Sequence, residues 1–241
     1  MFESALKDRS VRPELMDDFS SGGPELTEAL RQLRRLNRLF AAAAPTLHGV
    51  RLLWARAGKP RKLTVLDVGS GSGDVNRKLL RWADGLGFDL TIVLVDKTKE
   101  ACAEAKLYYA DEPRVQVACG DLYALDAGSA DIVTATQLAH HFEAGELVGA
   151  VEAMRRASRL GVVLGDIHRH WLAWSAVWVV THLMSRNRYI RHDGPLSVAK
   201  GFTGADWQQL RDALQADFFY WSWRPMFRYS VVIGAEDDAH T

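Results

Sequence analysis

The sequence predicts an α/β fold, with a parallel sheet that carries helices on both faces. Between residues 62 and 164, short aliphatic runs alternate with helical segments of about 10–15 residues, a pattern typical of βαβ units. The first run leads directly into the glycine-rich segment VLDVGSGSGDV at 65–75. Near the C-terminus two further strands are separated only by Arg224, Pro225 and Met226, so they must be antiparallel.

The elements follow in order along the chain. Leucines at steps of three and four predict a helix from Glu25 to about Ala44, and a second helix, Leu47–Ala57, ends before Gly58 and Pro60. The predicted strands are 63–68, 90–95, 115–118, 132–136, 161–164, 218–223 and 227–233. Further helices are expected up to Trp82, over 98–110, 143–158 and 171–185, and from a capping box at 203–206 to about Ala216.

Composition narrows the class of partner. Lys and Arg together number 30, as do Asp and Glu, so the formal net charge is zero. Because this leaves no long-range field to attract nucleic acid, we expect no nucleic-acid partner. Cys102 and Cys119 are too few for a disulfide framework and too widely spaced for a CxxC metal site. We therefore expect a reducing, cytoplasmic location and no bound metal.

One segment raises the question of membrane contact. Trp171–Ser185 contains no Asp, Glu, Lys or Arg. As a helix it would rise only about 22 Å, which is less than the roughly 30 Å hydrocarbon core of a bilayer. We expect a buried or interfacial helix, with no transmembrane segment but with peripheral membrane contact left open.

The glycine-rich segment is the strongest functional motif. Gly69, Gly71 and Gly73 stand between a strand and a helix, where glycine lets the backbone turn sharply and approach a ligand. A tight turn without a ligand is the alternative. Asp67 precedes the glycines, and an acid aimed into this turn would repel a pyrophosphate but suit a ligand with an ammonium group.

Two further acids follow the next two strands. Asp96 ends the second strand, where a carboxylate can accept hydrogen bonds from ribose hydroxyls. Asp121 follows the third strand and could accept a hydrogen bond from the exocyclic amine of an adenine. Either acid alone could be a turn residue. Acids after three consecutive strands favour a nucleoside site.

These motifs resemble class I S-adenosylmethionine-dependent methyltransferases over roughly residues 62–235. The resemblance implies S-adenosylmethionine as cofactor and a Rossmann-like, doubly wound seven-stranded sheet of order 3-2-1-4-5-7-6 with its last strand antiparallel. It also implies cofactor binding by Asp67, Val68, Gly69, Ser70, Gly71, Gly73, Asp74, Asp96, Lys97, Gly120, Asp121, Leu122, Gln137 and Leu138.

A narrower resemblance rests on RPELMDD (12–18), LNR (36–38), HDGP (192–195) and SVAKGFT (197–203). These segments are similar to bacterial small-molecule methyltransferases that accompany type III polyketide synthases. This implies a hydrophobic phenol or related aromatic acceptor. We expect a helical cap over 1–60 and a cofactor-binding domain over 61–241, with a lid for the acceptor inserted at about 169–202.

Candidate acceptor-site residues follow the fourth and fifth strands. We expect His140 or His141 to act as a general base, since a neutral imidazole suits proton removal at neutral pH; the alternative is that one ring only packs on the cofactor. The predicted substrate-binding residues are His168, Trp171, Trp174, Trp178 and His192. Because Trp171, Trp174 and Trp178 share a helix face, they could line the acceptor pocket, belong to the core, or form a membrane or partner surface.

The sequence therefore predicts an enzyme that methylates a hydrophobic aromatic small molecule at a phenolic oxygen. The alternatives are carbon methylation of a quinone or lipid-like precursor, a nicotinamide-dependent oxidoreductase, and a cofactor-binding protein without activity. A metal-dependent catechol-type mechanism is not expected, because Thr136-Gln137 stands where such an enzyme would have acids.

Overall fold

A computed structural model describes residues 6–18 and 22–236 of the chain. Its single described sheet has seven strands: β1 Lys62–Val68, β2 Asp89–Asp96, β3 Val115–Cys119, β4 Ala130–Thr136, β5 Ser158–Ile167, β6 Phe219–Arg224 and β7 Arg228–Gly234. Their order is 3-2-1-4-5-7-6, with β7 antiparallel to both neighbours, which confirms the predicted fold. Every strand starts and ends within two residues of its predicted bounds except β5, which extends three residues further at each end.

Eight α-helices accompany the sheet in the described residues: α1 Pro24–Leu39, α2 Ala43–Arg56, α3 Arg77–Leu86, α4 Lys99–Tyr108, α5 Ala144–Ala157, α6 Trp171–Met184, α7 Arg188–Lys200 and α8 Gly204–Leu214. The predicted capping box of α8 is present: the Thr203 hydroxyl accepts a hydrogen bond from the Asp206 amide. Single turns of 3₁₀ helix lie at 15–17, 74–76, 122–124 and 139–141.

The core lies on both faces of the sheet. Successive strand residues point to opposite faces, so Val65 and Val163 join one apolar cluster while Leu66 and Val162 join the other. Helices cover each face, which is why the central strands place apolar side chains on both faces.

Helix α2 belongs to this core, although it precedes residue 60. Val50 is completely buried and Leu53 nearly so, and both pack in a cluster that contains strand residues. A Cβ at Gly49 would collide with Val163 of β5, so the helix approaches the sheet closely. The predicted cap over 1–60 therefore divides into α2, which packs on the sheet, and the preceding segments, which lie over its carboxyl edge.

The insertion between β5 and β6 holds a helix that the sequence patterns did not predict. Helix α7 contains Gly194 and Pro195, which normally end a helix. Its N-terminus is capped by the Asn187 side chain, which accepts a hydrogen bond from the Tyr189 amide. Tyr189 and Ile190 are buried against α1, so tertiary packing outweighs the local preference.

Two further sequence interpretations can be compared with the fold. Cys102 and Cys119 are paired as a disulfide, with Cα atoms 6.0 Å apart, and link α4 to the end of β3. Spacing alone had indicated two unpaired thiols. Within 6–18 and 22–236, no helix is long and apolar enough to cross a membrane.

Candidate functional site

A cleft at the carboxyl ends of the parallel strands divides into three adjoining chambers. The outer chamber, about 550 Å³, lies over β1, β2 and β3. The central chamber, about 160 Å³, lies over β1 and β4, and the apolar chamber, about 150 Å³, lies beneath α6 and α7. Gln137, held in a left-handed conformation with φ of 56°, lines all three. A ligand could therefore extend from one chamber into the next.

The glycine turn separates the outer and central chambers. Gly69, Gly71 and Gly73 all have a positive φ. A residue with a side chain would be strained in this conformation. A Cβ at Gly69 or Gly73 would collide with Leu138 or Leu94, whereas a Cβ at Gly71 would meet only open space. Packing thus explains the first and third glycines, and the space beside Gly71 is available for a ligand.

Asp67 holds this turn from below. Its side chain is buried and accepts hydrogen bonds of 2.6 Å from Asn76 and from Thr134. Burial raises the pKa of Asp67 to about 6. Since Asp67 does not line any of the three chambers formed by the described residues, the prediction of direct cofactor contact is not supported. It positions the loop, whereas Asp74 of the same motif lines the central chamber.

Asp96 lines the outer chamber. One carboxylate oxygen accepts a hydrogen bond of 2.8 Å from the Gly71 amide, and the other accepts two from Thr98, both 2.9 Å. These contacts fix the carboxylate while leaving lone pairs toward the chamber. A ribose diol fits this acceptor.

The far wall of the outer chamber carries the second predicted acid. Asp121 accepts a hydrogen bond from the Tyr123 amide and pairs with Lys97 at 3.2 Å. The backbone hydrogen bond and Lys97 lower the pKa of Asp121. Val68, Gly120, Leu122 and Leu138 complete an apolar and amide-rich surface around it. This surface suits a flat heterocycle with polar edges.

The polar wall of the central chamber fits the remaining part of S-adenosylmethionine. The Ser70 hydroxyl is buried without a hydrogen-bond partner among the described residues. Asn37 of α1 donates to Asp74 at 3.1 Å and accepts from Gln137 at 2.8 Å. Burial raises the pKa of Asp74. An ammonium group here would offset the free-energy cost of burying the charged carboxylate of Asp74. The residues therefore fit the expected cofactor.

His140 and Asp166 form a buried pair at the other side of the central chamber. Nδ1 of His140 lies 2.8 Å from Oδ1 of Asp166, and the same carboxylate accepts the backbone amides of His140 and Ile167. Burial opposes ionisation, but His140 and these hydrogen bonds lower the pKa of Asp166. Because Asp166 fixes the ring through Nδ1, the second ring nitrogen, Nε2, is left for another partner. It is buried without a hydrogen-bond partner among the described residues.

His141 is held differently. Its Nδ1 lies 2.6 Å from Asp17, and Lys200 lies 3.4 Å from the other oxygen of that carboxylate. Burial opposes the charged form, but the Asp17 hydrogen bond and the charges of Glu14 and Asp17 raise the pKa of His141. Burial likewise opposes ionisation of Asp17, yet His141 and Lys200 lower its pKa to about 2. The two shifts run in opposite directions, so each group favours the charged form of the other.

The segment 6–18, here called the strap, roofs the central chamber. Arg9 donates to the carbonyls of His140, Phe142 and Lys200 at 2.9–3.2 Å. The amides of Leu15 and Met16 donate to Asp193 of α7 at 2.8 and 3.0 Å. The strap thus ties the histidine turn to the insertion.

Glu14 lies in the strap at the centre of this network. It is buried, accepts from Ser197 at 3.1 Å and lies 3.6 Å from Nε2 of His140. Glu14, His140 and His141 could together hold a metal ion. However, the ammonium of Lys200 lies 3.8 Å from Glu14 and already supplies a positive charge there.

The apolar chamber lies between β5, α6, α7 and the turn before β7. Helix α6 contributes Ala173, Val177 and Thr181 to its lining. Trp171 and Trp178 are exposed on the outward face of the helix, and Trp174 packs beside Ile167 and Ala173. The predicted role of these three tryptophans in lining the acceptor pocket is therefore not supported, because the helix turns its small residues toward the cavity.

The other predicted substrate-binding residues also lie beside the described chambers instead of lining them. His168 packs between His170 and Tyr229, and burial together with His170 and Arg169 lowers its pKa. His192 lies 2.7 Å from Asp193, whose backbone neighbour Gly194 reaches the central chamber. Both residues lie next to residues that line the chambers and do not line them themselves.

Sequence reasoning missed several residues of the site. They are Arg9, Glu14, Asp17, Asn37, Asp193, Ser197, Lys200 and Arg228. Arg228 is buried and donates to Gln137 at 2.8 Å; burial lowers its pKa to about 10. All of these residues except Arg9 and Arg228 lie in the four segments that carry the narrower resemblance. That resemblance was the sequence signal that could have identified them.

Comparisons with known proteins agree with this geometry. Residues 65–161 match a family model described as a methyltransferase domain. No curated protein matches the chain in sequence. Human N-acetylserotonin methyltransferase, solved in complex with S-adenosylmethionine, is similar in structure with a TM-score of 0.63 and 13% identity; the match covers 97% of this chain and 65% of that one.

Two further structures are similar. A SAM-dependent methyltransferase from Aquifex aeolicus has a TM-score of 0.57 and 14% identity over 86% of this chain and 97% of that one. The CMeT domain of the citrinin polyketide synthase has a TM-score of 0.54 and 14% identity over 72% of this chain; the match spans 46% of that chain, about half its length. At these identities the likeness establishes the fold. The match over 65–161, together with a cleft whose residues fit S-adenosylmethionine, supports methyltransferase activity with this cofactor.

Proposed function

We propose that the enzyme methylates a hydroxyl group on a hydrophobic aromatic small molecule, such as a polyketide-type natural product, in the cytoplasm. The observation that carries this proposal is the His140–Asp166 pair. A ring fixed through Nδ1, whose buried Nε2 makes no hydrogen bond among the described residues, is suited to accept a proton in the central chamber.

The three chambers suggest how the two substrates would be held. Asp96 and the surface around Asp121 would bind the nucleoside of the cofactor, and Ser70 with Asp74 would bind its amino-acid end. The acceptor would enter the apolar chamber, whose lining includes Phe40, Ile167 and Phe227. Gln137 borders both ligands and would align them.

The chemistry requires one proton acceptor. When bound, S-adenosylmethionine supplies an electrophilic methyl group that an oxygen nucleophile takes as the carbon–sulfur bond breaks. His140 would take the hydroxyl proton at Nε2, and the ionised Asp166 would stabilise the resulting imidazolium through Nδ1. The ring of His141 lies beside that of His140, with ring centroids 4.4 Å apart.

Carbon methylation is the second candidate, and one comparison favours it. The similar domain of the citrinin polyketide synthase is named a CMeT domain. An acidic carbon beside a carbonyl also loses a proton, so the same imidazole would serve. The two candidates differ in the product, since methylation on oxygen removes the acceptor hydroxyl and methylation on carbon retains it.

The direct test is turnover with methyl-labelled cofactor. The purified enzyme is offered hydrophobic phenols, their methyl ethers, quinones and aromatic amines, and the products are analysed by mass spectrometry and NMR. The proposal expects labelled methyl ethers from phenols and none from the pre-methylated controls. Ring-labelled products would support carbon methylation, and methylation of amines alone would refute both candidates.

A further inference from the structure

The outward face of α6 is an exposed apolar surface. Six large apolar side chains of this helix face solvent: Trp171, Leu172, Trp178, Val179, Leu183 and Met184. Leu183 is 81% exposed and Trp178 44% exposed. A monomeric soluble protein seldom leaves such residues contiguous, and a contiguous apolar patch marks an interaction surface.

The pattern along α6 shows that this exposure is organised. Leu172, Val179 and Leu183 recur at steps of seven and four, which places them on one stripe. Val177 and Thr181 lie on the opposite side and line the apolar chamber. The helix is therefore apolar on its inner and outer faces, while the described part of the chain covers only the inner face.

The surface continues onto the hairpin between β6 and β7. The His170 ring stacks on Phe227 at 5.0 Å, and Phe227 contacts the ring of Trp223 at 6.3 Å. Trp223 and Met226 are both exposed. Two separate elements thus present aromatic and aliphatic side chains beside one another.

Charge distinguishes the kind of partner. From residue 167 to residue 192 there is no Asp or Glu, although four arginines occur. Arg186 follows α6 directly, and Arg191 of α7 donates to the carbonyls of His182 and Ser185 at the end of α6. Both arginines are exposed, whereas Arg188 is paired with Glu25. Tryptophans beside an apolar stripe, with arginines at its end, are typical of helices that lie in the headgroup region of anionic bilayers.

We propose that the outward face of α6, together with the tip of the β6–β7 hairpin, docks the enzyme on the surface of a bilayer that contains anionic phospholipid. The helix would lie in the interface with its stripe among the acyl chains, and Arg186 and Arg191 would reach the headgroups. This inference does not depend on the proposed acceptor. It places the apolar chamber directly behind the membrane-facing helix.

The test is sedimentation with vesicles. The full chain is mixed with vesicles of phosphatidylcholine alone or of phosphatidylcholine with phosphatidylglycerol. We expect sedimentation with the anionic vesicles that weakens as salt is raised, because the arginine contribution is screened. Wild-type protein that stays in the supernatant with both vesicle types would overturn the proposal.

The matched variants are Leu183→Glu on the stripe and Leu107→Glu on α4, which is 68% exposed elsewhere. Leu183→Glu should reduce vesicle partitioning by about tenfold or more, since burying one leucine accounts for at least that factor. Leu107→Glu should leave it unchanged. Both variants should keep wild-type melting temperatures. Equal partitioning of the two variants would refute the assignment of the surface.

Two further measurements separate a bilayer from a protein partner. Brominated lipids should quench the tryptophan fluorescence of the wild type and quench the folded Trp178→Phe variant less. A wild-type dimer that Leu183→Glu converts to a monomer, without vesicle binding by either, would show that a second copy covers this face and would overturn the proposal.

Discussion

His140 and His141 are adjacent in the chain, yet their rings are held by different carboxylates. His140 faces a buried carboxylate through Nδ1 and presents Nε2 to the central chamber. His141 is hydrogen-bonded to the carboxylate of Asp17. Burial lowers the pKa of His141, but the contact with Asp17 helps to outweigh that effect, so the pKa is raised. His140 combines a fixed orientation with a buried Nε2 that makes no hydrogen bond among the described residues, and we expect it to be the base.

We expect His140→Ala to lower kcat by at least about tenfold, because general-base assistance is worth about 10²–10⁴-fold. Asp166→Asn should lower kcat as well, since it removes the charge that fixes the tautomer. Cofactor affinity, measured by calorimetry, should change little in both variants.

His141→Ala is the matched comparison. Because His141 contacts Asp17 of the strap, this variant should affect KM and the packing of the strap more than kcat. Phenols of different acidity distinguish the rival view that the acceptor ionises unaided. In that case His140→Ala would keep near-normal turnover, and the rate at low pH would follow the acidity of each phenol. Such a result would remove His140 from the mechanism and leave the cofactor site unaffected.

Asp96→Ala should weaken cofactor affinity by about 10- to 150-fold, which corresponds to about 1.5–3 kcal/mol for hydrogen bonds to a charged acceptor. The variant also loses the hydrogen bond from the Gly71 amide, so part of this loss comes from the glycine turn. The cofactor affinity is measured by calorimetry on a variant whose circular dichroism spectrum matches that of the wild type. Asp121→Ala serves as the comparison, since Asp121 is partly exposed and paired with Lys97. Wild-type affinity in folded Asp96→Ala would exclude ribose binding there.

Gly71→Val should abolish cofactor binding more completely than Asp96→Ala. The Cβ would occupy space that no protein atom fills, and a β-branched residue strongly disfavours a φ of 55°. Gly87→Val is a control for strain alone, because Gly87 has a φ of 68° and open space at the end of α3. If both variants bind the cofactor equally well, the turn at Gly71 does not hold it.

Among the elements, the strap depends on an ion pair whose strength changes with pH. The pKa of Asp17 is lowered to about 2, so its stabilisation is present above pH ~4 and is lost as pH falls toward 2. The pKa of His141 is raised, so its stabilisation is present below pH ~6.5 and is lost as pH rises through that raised value. The pair is strongest between these limits.

Asp17→Asn should therefore lower the melting temperature more at about pH 5 than at about pH 9. The difference should be roughly 2–4 °C for each kcal/mol that the pair contributes, and the contribution is reduced because both side chains are partly exposed. Differential scanning calorimetry of the wild type, Asp17→Asn and the exposed-site control Asp8→Asn measures it. An equal decrease at both pH values would show that His141 is not charged in the pair.

The elements also show what local sequence can and cannot predict. The strands are recognisable because their apolar runs are short and end at glycines or acids, and the predicted sheet order is confirmed. Helix α7 was not predicted because Gly194 and Pro195 disfavour a helix locally, whereas burial of Tyr189 and Ile190 stabilises it. The long predicted helix 25–44 is interrupted at Ala41, which has a φ of 50°.

At the scale of the molecule, the site could be predicted on its cofactor side and only in part on its acceptor side. Gly71 and Asp96 are contributed by one βαβ unit, whose geometry is local. Glu14, His140 and Lys200 meet from three distant segments, and spacing in the chain carries no information on such a meeting. Trp178 has the spacing of a pocket residue, but the direction of its face depends on how α6 packs.

Whole-molecule packing predicts different outcomes for two N-terminal deletions. Removal of residues 1–22 should leave a cooperatively folding protein with open chambers and low turnover, because it removes the strap but not α2. Removal of residues 1–60 should prevent folding, since it exposes the sheet surface that Val50 and Leu53 cover. Each of these buried side chains accounts for about 1.5–3 kcal/mol, a large part of a typical 5–15 kcal/mol stability. Cooperative melting of the longer deletion would show that α2 is dispensable.

The network around His140 also has a consequence for synthesis of the protein. The strap reaches His140 from Arg9, 131 positions earlier, and Glu14 reaches Ser197, 183 positions later. Gln137, which borders every chamber, is held by Arg228, 91 positions further along. Because chains emerge from the ribosome N-terminus first, the nucleoside-binding βαβ unit can form while the acceptor side is still absent. A nascent chain could therefore capture its cofactor well before it could transfer a methyl group, and methyl transfer would have to wait until residue 228 has emerged.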